Sequence, residues 1–315
     1  MARQKLRLGT RGSALALAQA ELTESALKEA HPDLEVERVI IKTTGDRRTD
    51  VPLAEVAKAE GHLDKGVFIK ELEVALEEGE IDVAVHSLKD VPSELAEGFQ
   101  IGAVLPRAQF GDVLLTKVSG GLKGLDEGAK IATSSARRKA QILRLRPDVE
   151  VVEIRGNVPT RLRKLAEDDE LGGLILAEAG IRRLDLLQRG KVVGDGFSLH
   201  MGVFDPKSFL PAASQGIVGL EIRNGAADLE DILAPIHHEG SGWAAEAERT
   251  FLRLLGAGCD TPVGVYAAVT GVSMSMRARV FDEDDLSAPP GEGTVAGYAD
   301  EIPDLAEELL KEVKG

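Results

Sequence analysis

Three features of the chain carry side chains that could do chemistry: a lone cysteine in a turn, an aspartate just past a buried strand, and arginines that recur after strands. Cys259 is the only cysteine and lies in Gly-Ala-Gly-Cys-Asp-Thr-Pro-Val, residues 256–263. Glycine and proline there mark a turn. A lone cysteine is most often a small buried hydrophobe. A glycine-framed thiol can instead be presented to a cleft, where a lowered pKa or a partner base makes it a nucleophile. Asp90 stands in His-Ser-Leu-Lys-Asp-Val-Pro (86–92), directly after the compact strand candidate Ile81–Val85. Functional groups of open α/β sheets gather past the carboxyl ends of strands. Asp90 is therefore a candidate general acid/base or a carboxylate that stabilises a cation; its competing role is turn capping.

The arginines repeat one arrangement. Arg11 lies in Gly9-Thr10-Arg11-Gly12-Ser13, between a strand at Lys5–Leu8 and an Ala/Leu-rich helix from Ala14 to Ala30. Lys130–Thr133 opens into Ser134-Ser135 and a helix carrying Arg137, Arg138 and Lys139. Val149–Ile154 leads to Arg155-Gly156-Asn157 and a helix begun by Pro159-Thr160-Arg161. Leu174–Ala177 is followed by Ala179-Gly180-Ile181-Arg182-Arg183. Hydroxyls and backbone amides at a helix start bind anions, and arginine grips carboxylates bidentately. A single such arginine is ordinary solvated surface. The repetition, in an acidic protein, fits a ligand rich in carboxylates.

Strands and helices alternate from Lys5 to Ala177, which predicts parallel α/β domains. Leu34–Lys42 is a further strand and Phe68–Glu78 a helix; 58–66 reads as a mobile loop and 186–210 as an irregular insertion. Ile217–Ile222 is an apolar strand. His237-His238-Glu239 precedes a helix from Trp243 to Leu255; adjacent histidines suit capping better than a zinc site, so no metal is expected. Val263–Thr270 and Ser275–Phe281 alternate like antiparallel strands, Asp282–Gly297 reads as an acidic loop, and Ala306–Val313 closes as a helix. The last third thus predicts a small α+β domain.

A chain of 315 residues suits two or three domains. Its net charge of −15, from 53 acidic and 38 basic residues, argues against nucleic acid and anionic membranes as partners. One cysteine permits no internal disulfide, which fits a reducing cytoplasm. No stretch resembles a signal peptide or approaches the ~18 apolar residues of a membrane span. No P-loop, dinucleotide-binding glycine pattern or Gly-x-Ser-x-Gly elbow is present. No large apolar stripe is left over, so a cytoplasmic monomer is expected.

Together the motifs resemble the porphobilinogen deaminase family. They are Thr-Arg-Gly-Ser-Ala-Leu-Ala-Leu (10–17), Val-Phe-Ile-Lys-Glu-Leu-Glu-Val-Ala-Leu (67–76), Asp-Val-Ala-Val-His-Ser-Leu-Lys-Asp-Val-Pro (82–92), Thr-Ser-Ser-Ala-Arg-Arg (133–138), Arg-Gly-Asn-Val (155–158), Ser-Gln-Gly (214–216), His-His-Glu (237–239) and Gly-Cys-Asp-Thr-Pro-Val-Gly (258–264). They run in the family order across nearly the whole chain. The resemblance implies two periplasmic-binding-protein-like α/β domains, residues 1–105 with 217–234 and residues 106–216, plus a small C-terminal α+β domain, 235–315. It implies a covalent dipyrromethane cofactor held by a thioether on Cys259. It also implies head-to-tail condensation of four porphobilinogen molecules, with loss of ammonia, into hydroxymethylbilane. By the same resemblance Asp90 would take the catalytic role, Cys259, Lys89, Thr133, Ser134, Ser135, Arg137, Arg138, Arg155 and Gly156 would take the cofactor, and Arg11, Ser13, Arg155, Arg161, Arg183 and Gln215 would take the substrate. The chain departs from the family where Ser214 replaces a more usual glycine, Asp260 follows the cysteine, and the 58–66 segment is longer.

Two other classes are compatible with parts of the chain. A non-catalytic binding module would use the arginines equally well, but would have no use for Cys259. The effector domain of a transcription regulator would need a DNA-binding element, and no helix-turn-helix or basic segment is evident.

Overall fold

The computed structural model describes residues 3–43, 69–258 and 261–315. The described residues form three sheets with helices packed on them. The first sheet contains β1 (Lys5–Arg11), β2 (Glu35–Ile41), β3 (Val83–Ser87), β4 (Phe99–Val104) and, from much later in the chain, β12 (Val218–Arg223), in the order β2-β1-β3-β12-β4. β1 runs parallel to β2 and β3, whereas β12 is antiparallel to both β3 and β4. Helix α1 (Ala14–Ala30) starts where the Ser13 hydroxyl accepts from the Ala16 amide, an N-cap. It buries Ala20 and Leu27 against Leu6, Leu8, Val83 and Val85 of the sheet. Helix α2 (Lys70–Glu77) places Leu72 and Leu76 over Ile81 and Ala84.

The second sheet contains β5 (Asp112–Thr116), β6 (Lys130–Ala132), β7 (Glu150–Val152), β8 (Leu171–Ala177), β9 (Leu187–Gln188), β10 (Lys191–Gly194) and β11 (Phe197–Val203), in the order β7-β6-β8-β5-β11-β10-β9. β6 is parallel to β7 and β8, and β5 is antiparallel to β8 and β11. Both sheets are therefore mixed, not purely parallel. Helices α3 (Ala136–Leu145), α4 (Val158–Glu167) and α5 (Glu178–Arg183) follow β6, β7 and β8, and α6 (Ala227–Leu233) follows β12.

The segment 186–210, read from sequence as irregular, instead contains β9–β11 as an antiparallel extension of this sheet. Its turns are two residues long, Arg189-Gly190 and Asp195-Gly196. Arg189 and Gly190 both have positive φ, 50° and 78°, the twist that a tight hairpin requires. Val192 and Leu199 point inward and are fully buried.

The third sheet is an antiparallel meander of β13 (Val263–Thr270), β14 (Ser273–Val280) and β15 (Gly291–Tyr298). β15 lies within and just beyond the segment read as an acidic loop; Gly291, Gly293 and Gly297 hid its alternation, because α8 (Ile302–Lys314) packs where their side chains would be. Helix α7 (Glu239–Leu255) shares this core, with Phe251 and Ala247 against Val265, Met276 and Leu309. His238 caps α7 by accepting from the Ser241 amide, and the His237 Nδ1 accepts from Val104 N. This mixed α/β architecture, with a small C-terminal unit of sheet and helix, is the class expected from sequence.

One buried carboxylate joins the three sheets. Glu248 of α7 accepts from Arg107, in the connection from the first sheet to the second, at 2.6 and 3.2 Å. It accepts also from Ser214 N at 2.5 Å, in the returning connection, and from Ala267 N of β13 at 2.8 Å.

Candidate functional site

Asp90 ends a short 3₁₀ turn, Leu88–Asp90, at the carboxyl end of β3. Leu88 is the anchor of that turn. Its side chain is buried against Gly219 of β12, where an added Cβ would stand 2.8 Å from Leu88 Cδ1, and its amide donates to Ile217 O. The chain beyond Asp90 is held by Arg249 of α7, which donates to the carbonyls of Val91, Pro92 and Ser93 at 3.2, 2.6 and 3.3 Å. Arg253 adds a bond to Ser93 O. Lys89 and Asp90 are thereby fixed between two cavities of about 870 and 660 Å³, and both residues, with Arg138, line each of them. Burial, and then Arg138 and Arg137, push the Lys89 ammonium down to about 8, against the pull of Asp90 and Asp112.

The first cavity is built at the N-terminus of α3. Ser135 caps the helix by accepting from the Arg138 amide, the Thr133 hydroxyl accepts from Ser135 N, and the Ser134 hydroxyl donates to Ile154 O. Thr133, Ser134, Ser135, Arg137 and Arg138 line the cavity, as do Gly256, Ala257, Gly258 and Thr261 on both sides of the cysteine. Arg137 and Arg138 converge on Asp112, a fully buried carboxylate at the start of β5. Burial raises the Asp112 carboxyl, but the two guanidinium groups outweigh it and hold it at about 2. Arg137 spends Nη1 on Asp112 and Leu210 O, both at 2.6 Å. Arg138 spends Nε and Nη2 on Asp112 and Nη1 on Ile175 O.

The second cavity gathers Arg11, Ser13, Lys42, Arg155, Gly156, Arg161 and Arg183. Gly156 has φ 114°, and a Cβ there would lie 2.8 Å from Thr160 Cγ2, so only glycine suits the turn into α4. Asn157 caps α4, accepting from Thr160 N, and Arg161 Nε donates to Gly156 O at 2.6 Å. Burial pushes Arg161 to about 10, helped by Arg138 and Arg155. Burial alone pushes Arg183 to about 10. Arg183 Nη2 donates to Gly216 O, and its buried Nε has no partner among the described residues. Asp90 is the sole acidic residue lining this cavity among the described residues.

A family model described as porphobilinogen deaminase, dipyromethane cofactor binding domain, matches residues 6–231. A second, described as porphobilinogen deaminase, C-terminal domain, matches residues 243–314. The chain belongs to the porphobilinogen deaminase family. The porphobilinogen deaminase of Syntrophomonas wolfei is 43% identical over 310 residues, covering 98% of this chain and 94% of its own length. That of Syntrophotalea carbinolica is 41% identical over 317 residues, with coverage of 98% and 94%. Among solved structures, the periplasmic VFT2 domain of Bordetella pertussis BvgS overlays with a TM-score of 0.42 at 14% identity, covering 74% of this chain and 87% of that one.

As a porphobilinogen deaminase family member, the chain has a dipyromethane cofactor binding domain. The donor set of the first cavity suits that group: hydroxyls, a lysine and two arginines face a space that can take the acetate and propionate of each pyrrole. Of the residues expected from sequence to take the cofactor, Lys89, Thr133, Ser134, Ser135, Arg137 and Arg138 line this cavity, whereas Arg155 and Gly156 line the second. Of those expected to take substrate, Arg11, Ser13, Arg155, Arg161 and Arg183 come together in the second cavity. Gln215 lines the first, and its amide donates to Phe110 O and Asp112 Oδ1. Cys259 and the 58–66 loop lie outside the described residues. Among the described residues no cluster of three or more metal-ligating side chains occurs, and no helix is long and apolar enough to cross a membrane.

Three residues of this constellation escape a sequence reading. Asp112 and Arg249 lie far in sequence from their partners and sit in unremarkable contexts. Lys42 closes an ordinary strand pattern; its place at a carboxyl strand end was its one available signal.

Proposed function

We propose that the chain is a hydroxymethylbilane synthase, a transferase that condenses four porphobilinogen molecules head to tail, releases an ammonia at each step and frees the linear tetrapyrrole hydroxymethylbilane. The observation that carries this reading is Asp90 in the wall shared by two cation-lined cavities. In this reading Cys259 holds the dipyrromethane in the first cavity through a thioether, and porphobilinogen enters the second. The dipyrromethane supplies the pyrrole carbon to which the first unit is joined.

Porphobilinogen loses ammonia from its aminomethyl group, leaving an electron-poor carbon and a pyrrole N–H that gains positive character. The Asp90 carboxylate stabilises that charge where it develops and takes part in moving the protons. Arg11, Arg155, Arg161 and Arg183, with Ser13, orient the substrate carboxylates in the second cavity. Arg137, Arg138 and Lys89, with Thr133, Ser134 and Ser135, orient those of the cofactor. Gln215 acts from the side of the returning connection. In this reading the chain has three domains, 1–105 with 217–234, 106–216 and 235–315, a division supported by its three separate sheets. The enzyme is read as a cytoplasmic monomer whose partner is its small-molecule substrate, with no nucleic acid or membrane.

Incubation of the purified protein with porphobilinogen tests this. Ammonia release together with hydroxymethylbilane formation is expected, and the intact mass of the denatured protein should exceed the sequence mass by a dipyrromethane that a Cys259→Ser variant lacks. Porphobilinogen binding without ammonia release would instead favour the non-catalytic binding module.

A further inference from the structure

We propose that Lys42 captures a carboxylate of incoming porphobilinogen at the mouth of the second cavity, before the deeper arginines take it. The inference rests on the function proposed above. β1 and β2 are parallel and in register, with Arg11 beside Ile41. The next residue on each strand, Gly12 and Lys42, therefore leaves the sheet at the same carboxyl edge. Both line the cavity that contains Asp90.

The cations of that cavity form a gradient of exposure. Lys42 is exposed, Arg11 and Arg155 are half-buried, and Arg138 is buried. Arg161 and Arg183 are desolvated enough to lose part of their basicity, and each already donates to a backbone carbonyl. Those guanidinium groups are rigid forks, suited to fixing a docked carboxylate. A lysine ammonium on a flexible stem is suited to meeting one that is still partly hydrated. The need is electrostatic: the protein carries a net charge of −15, and a dicarboxylate approaching it is repelled unless a cation stands at the entrance.

The test is steady-state kinetics on cofactor-loaded wild type and on Lys42→Met, Lys42→Glu and Lys42→Arg, each checked for cofactor by mass. Lys42→Met should raise KM for porphobilinogen about fivefold, the worth of one exposed ion pair, with kcat within about twofold. Lys42→Glu should raise it further and Lys42→Arg should restore it. The loss of kcat/KM with added salt should be shallower in Lys42→Met than in wild type. Unchanged KM in both the Met and Glu variants overturns the proposal. So does a fall in kcat at constant KM, which would place Lys42 after capture. Failure of the underlying function would show differently, as wild-type protein that releases no ammonia.

Discussion

Asp112 Oδ1 accepts from both Nε and Nη2 of Arg138, at 3.0 and 2.7 Å, with no exposed surface on the carboxylate. Through the same carboxylate Asp112 also holds Arg137 and Gln215. Two site arginines are thus oriented by a group that faces neither cavity. Removing one member of such a buried network leaves the others uncompensated. Asp112→Ala should cost about 3–5 kcal/mol of stability, read from denaturant unfolding.

The same network sets an acid limit. The Asp112 carboxyl is held at about 2, burial raising it and Arg137 and Arg138 lowering it more. A depressed carboxyl contributes stability that is complete above the unfolded value of about 4 and is lost as pH falls toward the folded value. Wild type should therefore lose stability between pH about 4 and 2. Asp112→Asn should be less stable at neutral pH and lose less across that window. Parallel pH–stability curves for the two proteins would contradict this.

Asp90→Asn keeps the shape of the side chain and discards its charge. Turnover should fall at least about 100-fold, the scale of a lost transition-state electrostatic contact. The cofactor should remain attached, because Cys259, its proposed anchor, is unchanged. Intact mass and ammonia release report the two quantities separately, and near-normal turnover would remove Asp90 from the mechanism.

Lys89 titrates unusually early, at about 8, because burial disfavours the ammonium. If its charge orients carboxylates, kcat/KM should decline as pH rises past about 8. Lys89→Arg, which stays charged, should carry the plateau to higher pH. The effect on folding has the opposite direction: a lowered lysine makes stability rise with pH from about 8 toward the unfolded value of about 10.4.

Ser214 has φ 58°, and its hydroxyl is buried without a partner among the described residues. Both features disfavour serine there. Ser214→Gly should stabilise the protein by at least about 1 kcal/mol, after glycine's larger chain entropy is subtracted. A higher melting temperature checks it.

The sequence by itself determined the local chemistry. The strand-turn-helix units that present Arg11, Ser135 and Arg155 are specified by short-range signals: Ser13, Ser135 and Asn157 as caps, and Gly156 at a positive φ. These depend on a few neighbouring residues and so can be read along the chain. Where glycines filled otherwise regular positions, as in β15, packing against α8 overrode the pattern, and the Asp195-Gly196 hairpin signal was obscured by the glycine-rich run around it.

Only the tertiary structure decided which groups meet. β12 returns to the first sheet between β3 and β4, and Leu88 packs on its Gly219, which sets the height of Asp90. Arg249 reaches the 91–93 carbonyls across more than 150 residues of sequence. Asp112 finds Arg137 and Arg138, and Arg155 faces the second cavity instead of the first. Such pairings arise from sheet order and burial, since a carboxylate or guanidinium removed from water must find a partner wherever the fold supplies one. No local pattern along the chain encodes that choice.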